Sequence, residues 1–186
     1  MPVNSDVRHQ GEFVITMQDH IDRYRQLGFL ETPTDSGTGS CILVNLKQRR
    51  VVKFNQDPAY DKFVEFIRSN PDAAFPEIFL HEKPLGEFRP LSNDEYTVTE
   101  IEQLVPLSGE EQQAVLKWVK AEFSWLQSGA QPRESVDDPL GLGPAFHILL
   151  NEAKRVNVCL DVEKGSNFMK RAMESGSRVV FTDPYN

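Results

Sequence analysis

The stretch that most constrains the chain is residues 156–185, VNVCLDVEKGSNFMKRAMESGSRVVFTDPY. An apolar run, 156–160, delivers Asp161 at its end, and a polar loop leads on to Asn167-Phe168-Met169. After a Glu-Ser-Gly-Ser turn a second apolar run, 179–181, delivers Asp183-Pro184. Short β-type runs that stop at acidic residues place carboxylates at strand ends. Such carboxylates can hold Mg²⁺, a hard cation that needs few protein oxygens when phosphate oxygens supply the rest. The first Asp, Asp161, lying outside such a metal site, can then orient an attacking hydroxyl. The same residues also read as a β-hairpin with polar ends.

With 186 residues the chain suits one sizeable domain or two very small lobes sharing a cleft. A formal net charge of −8 argues against a nucleic-acid or anionic-membrane surface, which needs clustered Lys and Arg. The densest basic cluster is only Lys47-Gln48-Arg49-Arg50. No apolar run approaches a transmembrane length, and the first residues, MPVNSDVRHQGE, lack the apolar core of a signal peptide. Cys41 and Cys159 lie far apart in apolar runs, which predicts reduced core thiols and a cytoplasmic protein.

Residues 1–12 are polar and expected to be loose. Thr16 is a fair N-cap for a helix with Met17, Ile21, Tyr24 and Leu27 on one face, and Gly28 ends it. A segment with Pro33, Gly37 and Gly39 opens into SCILVNL and, after the KQRR turn, VVKF, which predicts a hairpin. The Gly37-Thr38-Gly39-Ser40 turn is either ordinary or a place where backbone N–H groups approach phosphate. Lys53 sits in an otherwise apolar strand, where Lys usually marks an edge or a solvent-facing position. Asp57-Pro58 starts a helix that buries Tyr60, Phe63, Val64 and Ile67. Strands are expected at 75–79 and from Tyr96 onward, the latter running into Glu102-Gln103-Leu104-Val105. Ser108 and Glu111 form a capping box for a long helix with Val115, Val119, Phe123 and Leu126 on one stripe. Pro144 opens the last helix, on whose apolar side His147 reads as a core histidine.

The pattern LDVEKGSNFMKR followed by VVFTDPY resembles the catalytic loop and metal-binding Asp of protein-kinase-like phosphotransferases. It is most similar to the small serine/threonine kinases of podovirus-type bacteriophages. The Asp-to-Asn spacing is one residue longer than in that pattern, and Glu163 stands where the family has a basic residue or His. The resemblance implies an α+β, minimal two-lobe fold with an antiparallel N-lobe sheet, residues 13–104, and a truncated helical C-lobe, residues 105–186. It implies ATP and Mg²⁺ as cofactors, Asp161 as the catalytic Asp, and Asn167 and Asp183 as metal ligands. Lys53 becomes the catalytic Lys on the phosphates, Gly37 and Gly39 the phosphate turn, and Glu102 and Leu104 the hinge beside adenine. On the helix after Lys53, Asp61 and Glu65 both stand where a carboxylate partner could lie, and neither is assigned. The chain stops three residues after Asp183, short of an activation segment. The expected function is a phage-borne or bacterial-effector kinase acting on host proteins in the host cytoplasm. The alternatives are an inactive pseudokinase that binds and inhibits a host protein, and a small-molecule phosphotransferase of the aminoglycoside-kinase type.

Overall fold

Two antiparallel sheets organise the chain. The computed structural model describes residues 16–32, 40–84, 95–127, 138–173 and 176–186. Their elements are α1 (Met17–Gln26), β1 (Leu30–Glu31), β2 (Cys41–Asn45), β3 (Arg50–Asn55), α2 (Pro58–Ser69), β4 (Ile78–Glu82) and β5 (Thr97–Glu102). Then follow β6 (Val105–Pro106), α3 (Gly109–Gln127), α4 (Gly143–Val156), a 3₁₀ turn (Gly165–Asn167), β7 (Phe168–Met173) and β8 (Gly176–Phe181). The fold is α+β, with a five-stranded sheet in the order β1-β2-β3-β5-β4 and a three-stranded sheet in the order β6-β7-β8. All pairings within both sheets are antiparallel.

The helix starts are chemically explicit. Thr16 and Asp19 close a reciprocal capping box on α1, with the Asp19 N–H donating to Thr16 Oγ1 at 3.2 Å and the Thr16 N–H donating to Asp19 Oδ2 at 2.8 Å. Gly28 follows the helix at φ +87°, a conformation that costs a glycine little. Asp57 caps α2 by accepting from the Ala59 N–H at 2.8 Å, with Pro58 in the first turn. Ser108 and Glu111 form the expected capping box of α3, the Ser108 N–H donating to Glu111 Oε2 at 2.7 Å. Asp138 holds the start of α4 through the Leu142 and Gly143 N–H groups at 3.2 and 2.6 Å.

Period-two alternation sends Val52 and Phe54 of β3 to one face of the large sheet. There they join Ile21, Phe29, Leu43, Tyr96 and Val98 in a core closed by α1. A second core gathers Phe63 and Ile67 of α2, Val115 and Val119 of α3, Phe146 and Leu149 of α4, and Phe168 and Phe181 of the β7–β8 hairpin. The apolar face of α2 is therefore buried among C-terminal residues. Phe63 meets Tyr185 edge-on at 5.7 Å between centroids, and Phe146 stacks on Phe181 at 6.3 Å.

Several expectations are corrected. The apolar run 156–160 is no strand: Val156 ends α4, Asn157 turns into the left-handed region at φ 52°, and only a single bridge pairs Leu160 with Tyr185. Cys159 is exposed and Cys41 half-buried, so neither thiol is a core group. Leu27 is 58% exposed, because the helix ends one residue before it and the chain turns away. The strand expected at 75–79 lies at Ile78–Glu82, since Phe75 turns inward to the second core. Strand β5 buries Thr97, Val98 and Thr99 in succession because both of its faces are covered. Gly37, Gly39, residues 1–12 and Ser128-Gly129, the pair that the sequence places at the end of the long helix, lie outside the described residues.

Candidate functional site

Lys53 lies on β3, which is inside the sheet between β2 and β5, opposite Ile42 and Thr99. It is not an edge residue. With Val52 and Phe54 pointing into the first core, alternation aims Lys53 at the other face, toward α2 and the C-terminal half. Only 14% of its side chain is exposed, and its Nζ lies 2.7 Å from Asp183 Oδ2. The ammonium also sits over the Tyr60 ring of α2, 3.7 Å from the centroid.

Asp183 follows β8. The Phe181 and Thr182 N–H groups donate to the Ala74 and Asn167 carbonyls, each at 2.9 Å, and fix the strand end just before it. One carboxylate oxygen meets Lys53, while the other, Oδ1, is buried with no hydrogen-bond partner among the described residues. Burial pushes the Asp183 carboxyl above its ordinary range. Lys53 opposes that shift, and the negative charges of Asp57 and Asp161 add to it.

Asp161 arrives on an extended segment tied to the chain's last residues. Cys159 and Asn186 exchange backbone hydrogen bonds at 2.9 Å, and the Asp161 N–H donates to the Pro184 carbonyl at 2.7 Å. The loop after Asp161 closes in the 3₁₀ turn, where Asn167 is buried. The Asn167 amide nitrogen donates to the Asp161 backbone carbonyl at 2.6 Å. Its side-chain oxygen, the only amide atom able to ligate a hard cation, is thereby turned away from that bond. Asp161 Oδ2 pairs with Lys164 Nζ at 2.5 Å, which raises the Lys164 pKa.

The fold thus brings together Lys53, Asp161, Asn167 and Asp183, which the sequence singled out. Asp61 accepts from Thr97 Oγ1 at 2.6 Å and Glu65 faces solvent, so the carboxylate beside Lys53 comes from Asp183. Glu102 has a structural task. Arg171 Nε donates to its Oε2 at 2.8 Å, a second Arg171 nitrogen meets Oε1, and the Glu77 N–H donates to Oε1 at 2.8 Å. Arg171 also donates to the Ala73 and Phe75 carbonyls at 2.7 and 2.9 Å, clamping β7 against the large sheet. Leu104 is buried at the link between the sheets. His147 is half-buried, 3.4 Å from the buried Glu122.

Tyr60, Lys164 and Arg171 were not identified as functional from sequence. Tyr60 reads only as one apolar position on a helix, Lys164 as a loop charge and Arg171 as a strand residue. A groove of about 500 Å³ lined by Ile67, Arg68, Phe75, Glu77 and Arg171, among others, contains none of the four converging side chains. Among the described residues no group of three or more His, Cys, Asp or Glu side chains could hold a metal ion, and no helix is long and apolar enough to cross a membrane. No protein-family model, curated protein or solved structure matches the chain.

Proposed function

We propose that the protein is an ATP- and Mg²⁺-dependent phosphotransferase of the protein-kinase-like type, a minimal two-lobe serine/threonine kinase acting on a protein of the host cell. The observation that carries this reading is the contact between Lys53 and Asp183, 130 positions apart in the chain. It joins a cation suited to phosphate oxygens to a carboxylate whose second oxygen is buried and, among the described residues, unpartnered. Leaving such an oxygen unsatisfied is costly, and a cation would satisfy it. Asp183 and the Asn167 side-chain oxygen fit Mg²⁺ with few protein ligands, the remaining oxygens coming from phosphate and water. When bound, Mg²⁺ neutralises charge on the phosphate oxygens.

In this reading Lys53 binds the phosphates, Asp161 orients the acceptor hydroxyl and takes its proton, and residues 102–104 flank the adenine. The order of elements supports it too: hairpin with Lys, helix, two strands, linker, helices, Asp loop, and a second hairpin ending at Asp. Calorimetry with ATP, with and without Mg²⁺, followed by radiolabelled autophosphorylation, tests the proposal. Absence of binding heat at millimolar ATP under both conditions would sink it.

A second reading, an inactive nucleotide-binding protein that inhibits a host protein, is favoured by one contact. The Asp161 carboxylate is already paired to Lys164. Asp161→Asn separates the two. A kinase keeps Mg-ATP binding and loses turnover steeply, whereas an inactive protein binds without transferring phosphate before or after the change.

A further inference from the structure

We infer that Tyr60 is the residue that positions Lys53 for its anionic ligand, doing with an aromatic face what a carboxylate on α2 would otherwise do. This rests on the nucleotide-binding reading above. The ammonium lies 3.7 Å from the ring centroid, and Tyr60 is 2% exposed, so the ring is fixed in place by the second core. The two carboxylates of α2 nearest in sequence are otherwise disposed: Asp61 accepts from Thr97 and Glu65 faces solvent. Tyr60 also lies near Asp183, whose charge joins burial in holding the phenol protonated. The ring is therefore neutral throughout the physiological range.

The chemical difference from a carboxylate is specific. A carboxylate neutralises a lysine and competes with phosphate for it. A ring attracts the ammonium through its quadrupole, strongly where water is scarce, and leaves the whole positive charge available. Among the described residues, Lys53 is held in direction by Tyr60 and in charge by Asp183. Were Asp183 to ligate a metal cation, Tyr60 would still hold the Lys53 ammonium in direction, leaving its charge for the phosphates.

The test combines a spectroscopic readout with binding of Mg-ATP by the full chain. A proton that sits over an aromatic face is shifted upfield, so the Lys53 ε-methylene resonances, assigned by their loss in Lys53→Met, report the geometry in the wild type without any Tyr60 variant. The expected result is an upfield shift kept in Tyr60→Phe and absent in Tyr60→Leu. Mg-ATP affinity should be unchanged in Tyr60→Phe and about tenfold weaker in Tyr60→Leu. Adding Lys53→Met to Tyr60→Leu should cost nothing beyond Lys53→Met alone, because Tyr60 acts through Lys53. Lys53 ε-protons at an ordinary position in the wild type, or a folded Tyr60→Leu variant with wild-type affinity, overturns the inference. If the upfield shift is present but the wild type binds no Mg-ATP, the nucleotide reading fails while the packing of Lys53 on Tyr60 stands.

Discussion

Asp183 carries an arrangement that folding alone does not reward. One oxygen is paired and the other is buried without a hydrogen-bond partner among the described residues, next to further negative charge from Asp57 and Asp161. Structures keep such strain where a ligand relieves it. Asp183→Ala is expected to abolish the Mg²⁺ dependence of ATP binding, read by titrating ATP at fixed Mg²⁺. Lys53→Met should lose phosphotransfer. It should also destabilise the protein by about 1–2 kcal/mol in urea, since it strands a half-buried carboxylate in a site where solvent still screens part of the charge. Unchanged phosphotransfer in the Met variant would remove Lys53 from the machinery. At this scale the sequence was informative about the acidic and amide groups, because their types and order carry chemistry. It was blind to Tyr60, since a helical aromatic on an apolar face looks the same whether its ring meets another ring or an ammonium.

At the scale of elements, side chains that bridge sheets matter more than the strands themselves. Arg171 joins β7 to Glu102 of β5 and to two carbonyls before β4. Arg171→Met takes both guanidinium donors from Glu102, leaving it the Glu77 N–H, and takes the Arg171 donors from both carbonyls, and is expected to cost about 2–4 kcal/mol by chemical denaturation. A loss below about 0.5 kcal/mol would show the clamp to be ornamental. Glu111 links α3 to β7, capping the Ser108 N–H and accepting from Lys170 Nζ at 2.7 Å. The hydrogen bond from Lys170, and next those from Ser108, lower its pKa from 4.5 to about 2. A lowered carboxyl stabilises the fold above its unfolded pKa and loses that contribution as pH falls through the folded one. The melting temperature of Glu111→Gln should therefore lie below that of the wild type at pH 6 and converge with it as the pH drops from about 4.5 toward about 2. Helix starts were readable because caps are local in sequence. The 156–160 segment was misread because β-branched residues after a helix favour extension without saying whether a partner strand exists.

For the molecule as a whole, the decisive feature is that α2 is buried among residues from the far end of the chain. Phe63 touches Phe75 and Tyr185, and shares its core with Phe146 and Phe181. The two halves should therefore unfold as one unit. Phe63→Ala is expected to cost about 3–5 kcal/mol while the fluorescence of Trp118 and Trp125 on α3 and the far-UV ellipticity still change together. Two separated transitions in the wild type would contradict this. Periodicity announced which face of α2 is apolar but could not name its partner, because long-range pairing leaves no local trace. The β7–β8 hairpin has one more consequence, for how this sequence can drift over generations. Asn167 and Asp183 flank its open end, and ladder pairing from Phe168–Phe181 to Met173–Gly176 sets the spacing between them. Because side chains alternate across a strand, a single-residue insertion or deletion within either arm would flip every residue beyond it to the opposite face. Length changes are therefore tolerable in matched pairs across the two arms or between Met173 and Gly176, so the hairpin works as a caliper whose jaws are Asn167 and Asp183.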